Sequence, residues 1–206
     1  MLEAKNVEYA YKCQKQRNIL NNISVRFEEK KFYTIVGASG AGKTTLLSLL
    51  AGLDRPTAGA VLYEGEDILT KGLGYHRKNH VSLVFQEYNL IDYLTAEENV
   101  RLGGTDQPQE LLAKVNIPKE AWKRNVMKLS GGQQQRIAIA RALASKAKVL
   151  LADEPTGNLD EPTAVDITTL LKRMAHEAGK CVIVVTHSKY LANEADEVVQ
   201  ITNGTI

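Results

Sequence analysis

A chain of 206 residues with 44% hydrophobic content suits one globular domain with room for a small subdomain. Its 26 basic and 24 acidic residues nearly cancel to +2, which excludes the concentrated positive charge of a nucleic-acid binder. No run approaches the roughly 20 apolar residues that cross a bilayer, and the N-terminus opens on charge and alternation, so neither a membrane span nor a secretory leader is expected.

Residues 2 to 10 alternate loosely and predict a strand. A polar loop with the basic residues Lys12, Lys15 and Arg17 follows, read as solvated. Ile23 to Phe27 alternates cleanly, with Ile23, Val25 and Phe27 on one side. Ala60 to Tyr63 is a third short strand, and the three are expected to form a small antiparallel sheet. Phe32 to Val36 is an apolar run that reads as a buried strand, and Thr45 to Ala51 reads as a helix. Between them stands Gly37-Ala38-Ser39-Gly40-Ala41-Gly42-Lys43-Thr44. His76, Arg77, Lys78 and His80 are read as a solvated polar loop before the strand Val81 to Phe85, which ends at Gln86.

From about Thr95 to Ala144 the signals turn helical. Thr95 and Glu98 have the spacing of a capping box. Short helices are expected over Gln109–Val115 and Lys119–Arg124. This section, about residues 87–145, reads as a helical insertion in a single domain spanning 1–206, with no appended domain. Val149 to Ala152 and Cys181 to Val185 are continuous apolar runs, typical of strands covered on both faces of a parallel sheet. A long helix from Pro162 to about Ala178, a short one over Lys189–Ala195 and a last strand over Val198–Ile201 complete the series. Asn203-Gly204 offers a turn. The two cysteines, Cys13 and Cys181, form neither a disulfide framework nor a zinc motif, which fits a reducing cytosol. The alternation of strands and helices predicts an open, mostly parallel α/β sheet.

Strand, glycine loop, Lys-Thr and helix in succession make a phosphate-binding loop. Its backbone N–H groups, the helix N-terminus and the Lys43 ammonium would surround a polyphosphate, and Thr44 would place its hydroxyl on Mg²⁺. Asp153-Glu154 ends a buried strand, where open α/β sheets place their ligands. Asp153 is expected to hold Mg²⁺ and Glu154 to take a proton from, or orient, an attacking water. Ser130-Gly131-Gly132-Gln133 opens another helix with a second anion-binding terminus. One nucleotide with a full glycine cradle rarely needs two, so Ser130 to Gly132 are expected to serve a nucleotide held by another subunit.

Leu129-Ser130-Gly131-Gly132-Gln133, lying between the phosphate loop and Asp153-Glu154, resembles the signature of ATP-binding cassette (ABC) transporter ATPases. The resemblance covers almost the whole chain. It makes Gln86 the Q-loop residue, Asn158-Leu159-Asp160 the D-loop and His187 the switch histidine. "GLDRPTAG", "VFQEYNL" and "LADEPTGNLD" resemble the macrolide-export, lipoprotein-release, bacteriocin and antimicrobial-peptide subgroup, which also holds a cell-division ATPase. Asn125-Val126-Met127-Lys128 departs from the Tyr-Pro that often precedes the signature there.

The resemblance implies a P-loop ABC fold and a head-to-tail dimer of two copies around two ATP molecules. Gly37–Thr45 of one chain would face Ser130–Gln133 of the other, with Asp160 near the contact. It also implies Mg-dependent ATP hydrolysis that drives a separate integral-membrane permease, with the subunit held peripherally on the cytoplasmic face. Lys43, Glu154, His187 and Gln86 are the expected catalytic set, Gln86 within reach of Mg²⁺ or the attacking water. Tyr11 is expected to stack on adenine, with Tyr9 as the competitor. A regulatory ATPase of the cell-division type, acting on a membrane partner without transport, is the alternative.

Overall fold

In the computed structural model, which describes residues 1–11 and 18–206, the molecule is built on a five-stranded parallel sheet. Cys13 and the basic loop of Lys12, Lys15 and Arg17 lie outside the described residues. The sheet contains β3 (Phe32–Val36), β6 (Val81–Val84), β7 (Val149–Asp153), β8 (Cys181–Val185) and β9 (Glu197–Gln200), in the order β6-β7-β8-β3-β9. A four-stranded antiparallel sheet packs beside it. Its strands are β1 (Leu2–Tyr9), β2 (Leu20–Phe27), β4 (Ala58–Tyr63) and β5 (Glu66–Asp67), ordered β2-β1-β4-β5.

Alternation along the parallel strands divides the core. Tyr33, Ile35, Leu151 and Ile183 face one way and pack with Leu46, Leu49 and Leu50 of α1 (Lys43–Leu50) against Val7 and Ile23 of the antiparallel sheet. Phe32, Leu150, Val182 and Val184 face the other way, against Ile167, Leu171 and Met174 of α6 (Glu161–His176) and Leu191 of α7 (Lys189–Asn193). Covering on both faces is why these strands carry continuous apolar runs. Cys181 is fully buried with a free thiol.

A third cluster joins Val100, Leu112, Val126 and Ile137 from α3 (Ala96–Arg101), α4 (Pro108–Lys114), a 3₁₀ turn at Val126–Lys128, and α5 (Gly131–Ala144). The Thr95–Glu98 capping box forms as expected at the start of α3. Helix α5 belongs to two cores, since Ile139 and Ala142 pack with the sheet while Ile137 and Ala140 pack with α3 and α4. The helix expected over Lys119–Arg124 is only a 3₁₀ turn, Lys119–Ala121. The carbonyls of Trp122 and Arg124, which a longer helix would use, accept instead from Glu97 and Ala96 at the start of α3.

Residues 76–80 are not the solvated loop that their polarity suggests. They lie in and just after α2 (Leu73–Asn79), and His76 is 1% exposed. His76 Nε2 is 3.0 Å from the Leu50 carbonyl, which only accepts, so Nε2 carries the proton. His76 Nδ1 is then the acceptor for His80 Nδ1 at 3.1 Å, and His80 stacks on Tyr63 with ring centroids 3.9 Å apart. Burial, and then the neighbouring charges of His80 and Arg77, hold the His76 pKa below the ordinary histidine value. A histidine depressed on folding supports stability above its unfolded pKa of about 6.5 and loses that support as pH falls through the folded value. Melting temperature should therefore be flat above neutrality and fall below about pH 6.5, and His76→Gln should blunt that fall. An acid limb of the same depth in that variant would refute this account.

Candidate functional site

The phosphate-loop glycines are imposed by their surroundings as well as by the turn. A Cβ on Gly37 would lie 2.3 Å from the Ile201 carbonyl oxygen. Gly42, at φ 105° on the threshold of α1, would place one 2.6 Å from Leu20 Cδ2. The Lys43 side chain folds back under the loop and donates to the carbonyls of Gly37 and Ala38, both at 3.0 Å. The residue is 6% exposed, and among the described residues these two carbonyls are the hydrogen-bond partners of its ammonium. Ala41 is buried, while Ser39 and Gly40 face outward.

Strand β7 brings the carboxylates to this loop. Asp153 Oδ1 accepts from Thr44 Oγ1 at 3.3 Å. Burial raises the Asp153 pKa, opposed by the Thr44 hydrogen bond and the Lys43 and His187 charges. Glu154 follows with a left-handed backbone, φ 45°, an uncommon conformation for a side chain of this size. Two bonds hold it there: its N–H donates to the Val185 carbonyl at 2.9 Å, and its carbonyl accepts from Gly157 N–H at 3.1 Å. Glu154 Oε2 accepts from the His187 backbone N–H at 3.3 Å. Oε1 lies 3.3 Å from His187 Nε2, close enough for an ion pair, yet the atoms are not aligned for a hydrogen bond and Oε1 is buried without one. Burial raises the Glu154 pKa, which makes it a stronger base once ionised. Gln86 Nε2 donates to Asn158 Oδ1 at 3.4 Å, linking the end of β6 to the segment after β7.

These residues line a cavity of about 600 Å³ that contains Tyr11, Ser39, Gly40, Gly42, Lys43, Thr44, Thr45, Gln86, Asp153, Glu154 and His187. Ile19 and Gly157 also line it and were not foreseen. Gly157 adjoins a motif visible in the sequence, whereas Ile19 carries no local signal and arrives through the approach of β2. Tyr11 is 46% exposed and sits edge-on to Tyr9, with ring centroids 5.3 Å apart. Tyr9 is 7% exposed, and its hydroxyl donates to Asp54 at 2.5 Å. Only Tyr11 of the two opens onto the cavity.

Ser130, Gly131, Gly132, Gln133 and Asp160 do not line this cavity. Ser130 caps α5, its Oγ accepting from Gln133 N–H at 3.3 Å while Gln133 Oε1 accepts from Ser130 N–H at 3.1 Å. Both glycines are contact points as well. A Cβ on Gly131 would lie 2.8 Å from the Tyr88 hydroxyl, and one on Gly132 would lie 2.8 Å from Thr163 Cγ2. Asp160 caps α6 and accepts from Thr163 N–H at 3.4 Å; Thr163 holds its pKa down.

The profile of the ABC transporter family matches residues 20–157. The chain belongs to the ABC transporter ATP-binding family. This cassette is 41% identical, over 91% of its length and 31% of the relative's, to the macrolide export ATP-binding/permease protein MacB of Brucella abortus. It is 39% identical, over 100% of its length and 96% of the relative's, to the lipoprotein-releasing system ATP-binding protein LolD of Syntrophotalea carbinolica. The cassette also superposes on MJ0796 of Methanocaldococcus jannaschii in a dimeric structure, with TM-score 0.90 and 36% identity, covering 100% of this chain and 96% of the other. A second dimeric structure of MJ0796, in a post-hydrolysis state bound to ADP and Pi, superposes with TM-score 0.88. The chain is thus an ABC transporter ATP-binding cassette with the fold expected from its motifs.

Proposed function

We propose that this chain is a Mg-dependent ATPase that works as a head-to-tail pair of identical copies and drives a separate integral-membrane permease, in the export or extraction of a peptide, bacteriocin, lipoprotein or drug. The observation that carries the reading is the separation of two anion-binding ends. The loop, both carboxylates and His187 share one cavity, while the Ser130–Gln133 helix end stands outside it. A second copy related by two-fold symmetry supplies that end to each site and closes both sites alike.

The polar groups present suit a metal–triphosphate. Thr44 and Asp153 oxygens already converge, Asp153 is desolvated, and a buried Glu154 oxygen has no hydrogen bond. Thr44, Asp153 and Gln86 would hold the Mg²⁺. When bound, the ion neutralises charge on the phosphate oxygens. Lys43 exchanges its two loop carbonyls for phosphate oxygens, and loop N–H groups take the rest. Tyr11 stacks on the adenine. Glu154 accepts the proton of a water whose oxygen bonds to the γ-phosphorus as the bridging P–O bond breaks to release ADP. His187 keeps the Glu154 carboxylate in place and presents its ring to the γ-phosphate. Asp160 lies at the contact between copies.

No helix among the described residues is long and apolar enough to cross a membrane, so the span in this reading belongs to the permease. In this reading the subunit works peripherally on the cytoplasmic face. No nucleic acid takes part. Affinity purification of the tagged chain from detergent-solubilised membranes should recover a permease in stoichiometric amount. Recovery of a division-associated membrane protein, or of no integral protein at all, would overturn the transport reading.

A further inference from the structure

The loop after Gln86 adopts a backbone that its residues resist. Tyr88 and Asn89 both have positive φ, 60° and 47°. Asparagine tolerates this region, but a tyrosine in it is an outlier that surrounding contacts must enforce. The contacts come from α5. The Arg141 guanidinium donates through Nη1 to the Asn89 carbonyl at 2.6 Å and through Nη2 to the Tyr88 carbonyl at 3.1 Å. A planar fork meets two successive carbonyls in a way that a lysine ammonium cannot. At the other end, the Tyr88 hydroxyl fits over the start of α5, where a Cβ on Gly131 would lie 2.8 Å from it. The loop therefore grips α5 at two points, Gly131 and Arg141, about 15 Å apart along the helix axis. Gln86 stands just before the gripped turn, and Ser130 just before the gripped glycine.

We propose that Arg141 is a positioning residue: it holds the Tyr88–Asn89 turn in its strained form so that Gln86 and the Ser130–Gln133 helix end keep a fixed register. The inference rests on the ATPase reading above. Arg141 touches neither the cavity that holds Lys43 nor its carboxylates. Its loss should leave nucleotide capture by the loop intact and impair turnover, which needs Gln86 and the signature of two copies in register.

The test uses the full chain with Mg-ATP. Arg141→Gln should bind ATP within about threefold of the wild type and turn it over about ten- to a hundredfold more slowly, the scale of a small misplacement at a site. Arg141→Lys, which can satisfy one carbonyl at a time, should fall between and serves as the test variant if the glutamine form does not fold. Adding Asn89→Gly, which removes the left-handed penalty at that residue, should recover part of the lost turnover. Amide exchange should quicken over residues 87–91 without quickening along α5. Wild-type turnover in Arg141→Gln and Arg141→Lys, or a loss that Asn89→Gly does not relieve, would overturn the proposal. So would exchange quickening along the whole of α5, the mark of a plain packing role. An inactive wild type would instead sink the ATPase reading, and the exchange measurement would still judge Arg141.

Discussion

Replacing Glu154 with glutamine is expected to lower ATP turnover by about 10²–10⁴-fold, the scale of a lost general base, while ATP stays bound and paired copies accumulate. The carboxylate is desolvated, has one oxygen without a hydrogen bond, and is oriented through the other by the His187 backbone. Glutamine keeps the shape and can accept that N–H, but it cannot take a proton from water. In the proposed mechanism hydrolysis removes the γ-phosphate that joins the two half-sites, so blocking it should hold the pair closed. Because burial raises the Glu154 pKa, the acid limb of the wild-type rate profile should lie above the ordinary carboxylate range. Phosphate release and sedimentation with ATP measure both effects. Near-normal turnover, or single copies at saturating ATP, would reject the role assigned to Glu154.

Lys43→Ala should act earlier, on capture of the nucleotide. In this structure Lys43 is nearly buried and, among the described residues, its ammonium bonds to the two loop carbonyls, an arrangement that phosphate oxygens improve by bringing negative charge. A charge-assisted hydrogen bond contributes about 1.5–3 kcal/mol, so ATP affinity should fall about ten- to a hundredfold. Calorimetric titration, with the melting temperature as a folding control, separates this from unfolding. Unchanged affinity in a folded variant would count against the cradle. The two variants should differ in kind, since one binds and cannot turn over while the other scarcely binds.

What the sequence by itself determined was local. Phe32–Val36, the glycine loop and the following helix are encoded in consecutive residues, so β3 and α1 were legible, as were the apolar strands β7 and β8. The capping box at Thr95 depends on residues three apart and was legible for the same reason, whereas Ser130 was read only as an anion-binding helix end and its capping box with Gln133 emerged from the structure. The family was legible because the signature stands between the loop and Asp153-Glu154.

Tertiary structure alone decided the rest, because the deciding contacts join residues far apart in the chain. Helix α2 has no apolar periodicity; it is held by a buried histidine reaching the Leu50 carbonyl, so its polarity pointed to a solvated loop. Gln86, Asp153 and His187 meet because the order β6-β7-β8-β3-β9 lines up the carboxyl ends of strands from distant parts of the chain, and Tyr11 reaches the same cavity from beyond the end of β1 in the antiparallel sheet. The same packing leaves Ser130 outside that cavity and sets Arg141 under the Tyr88–Asn89 turn, two placements that no run of neighbouring residues encodes.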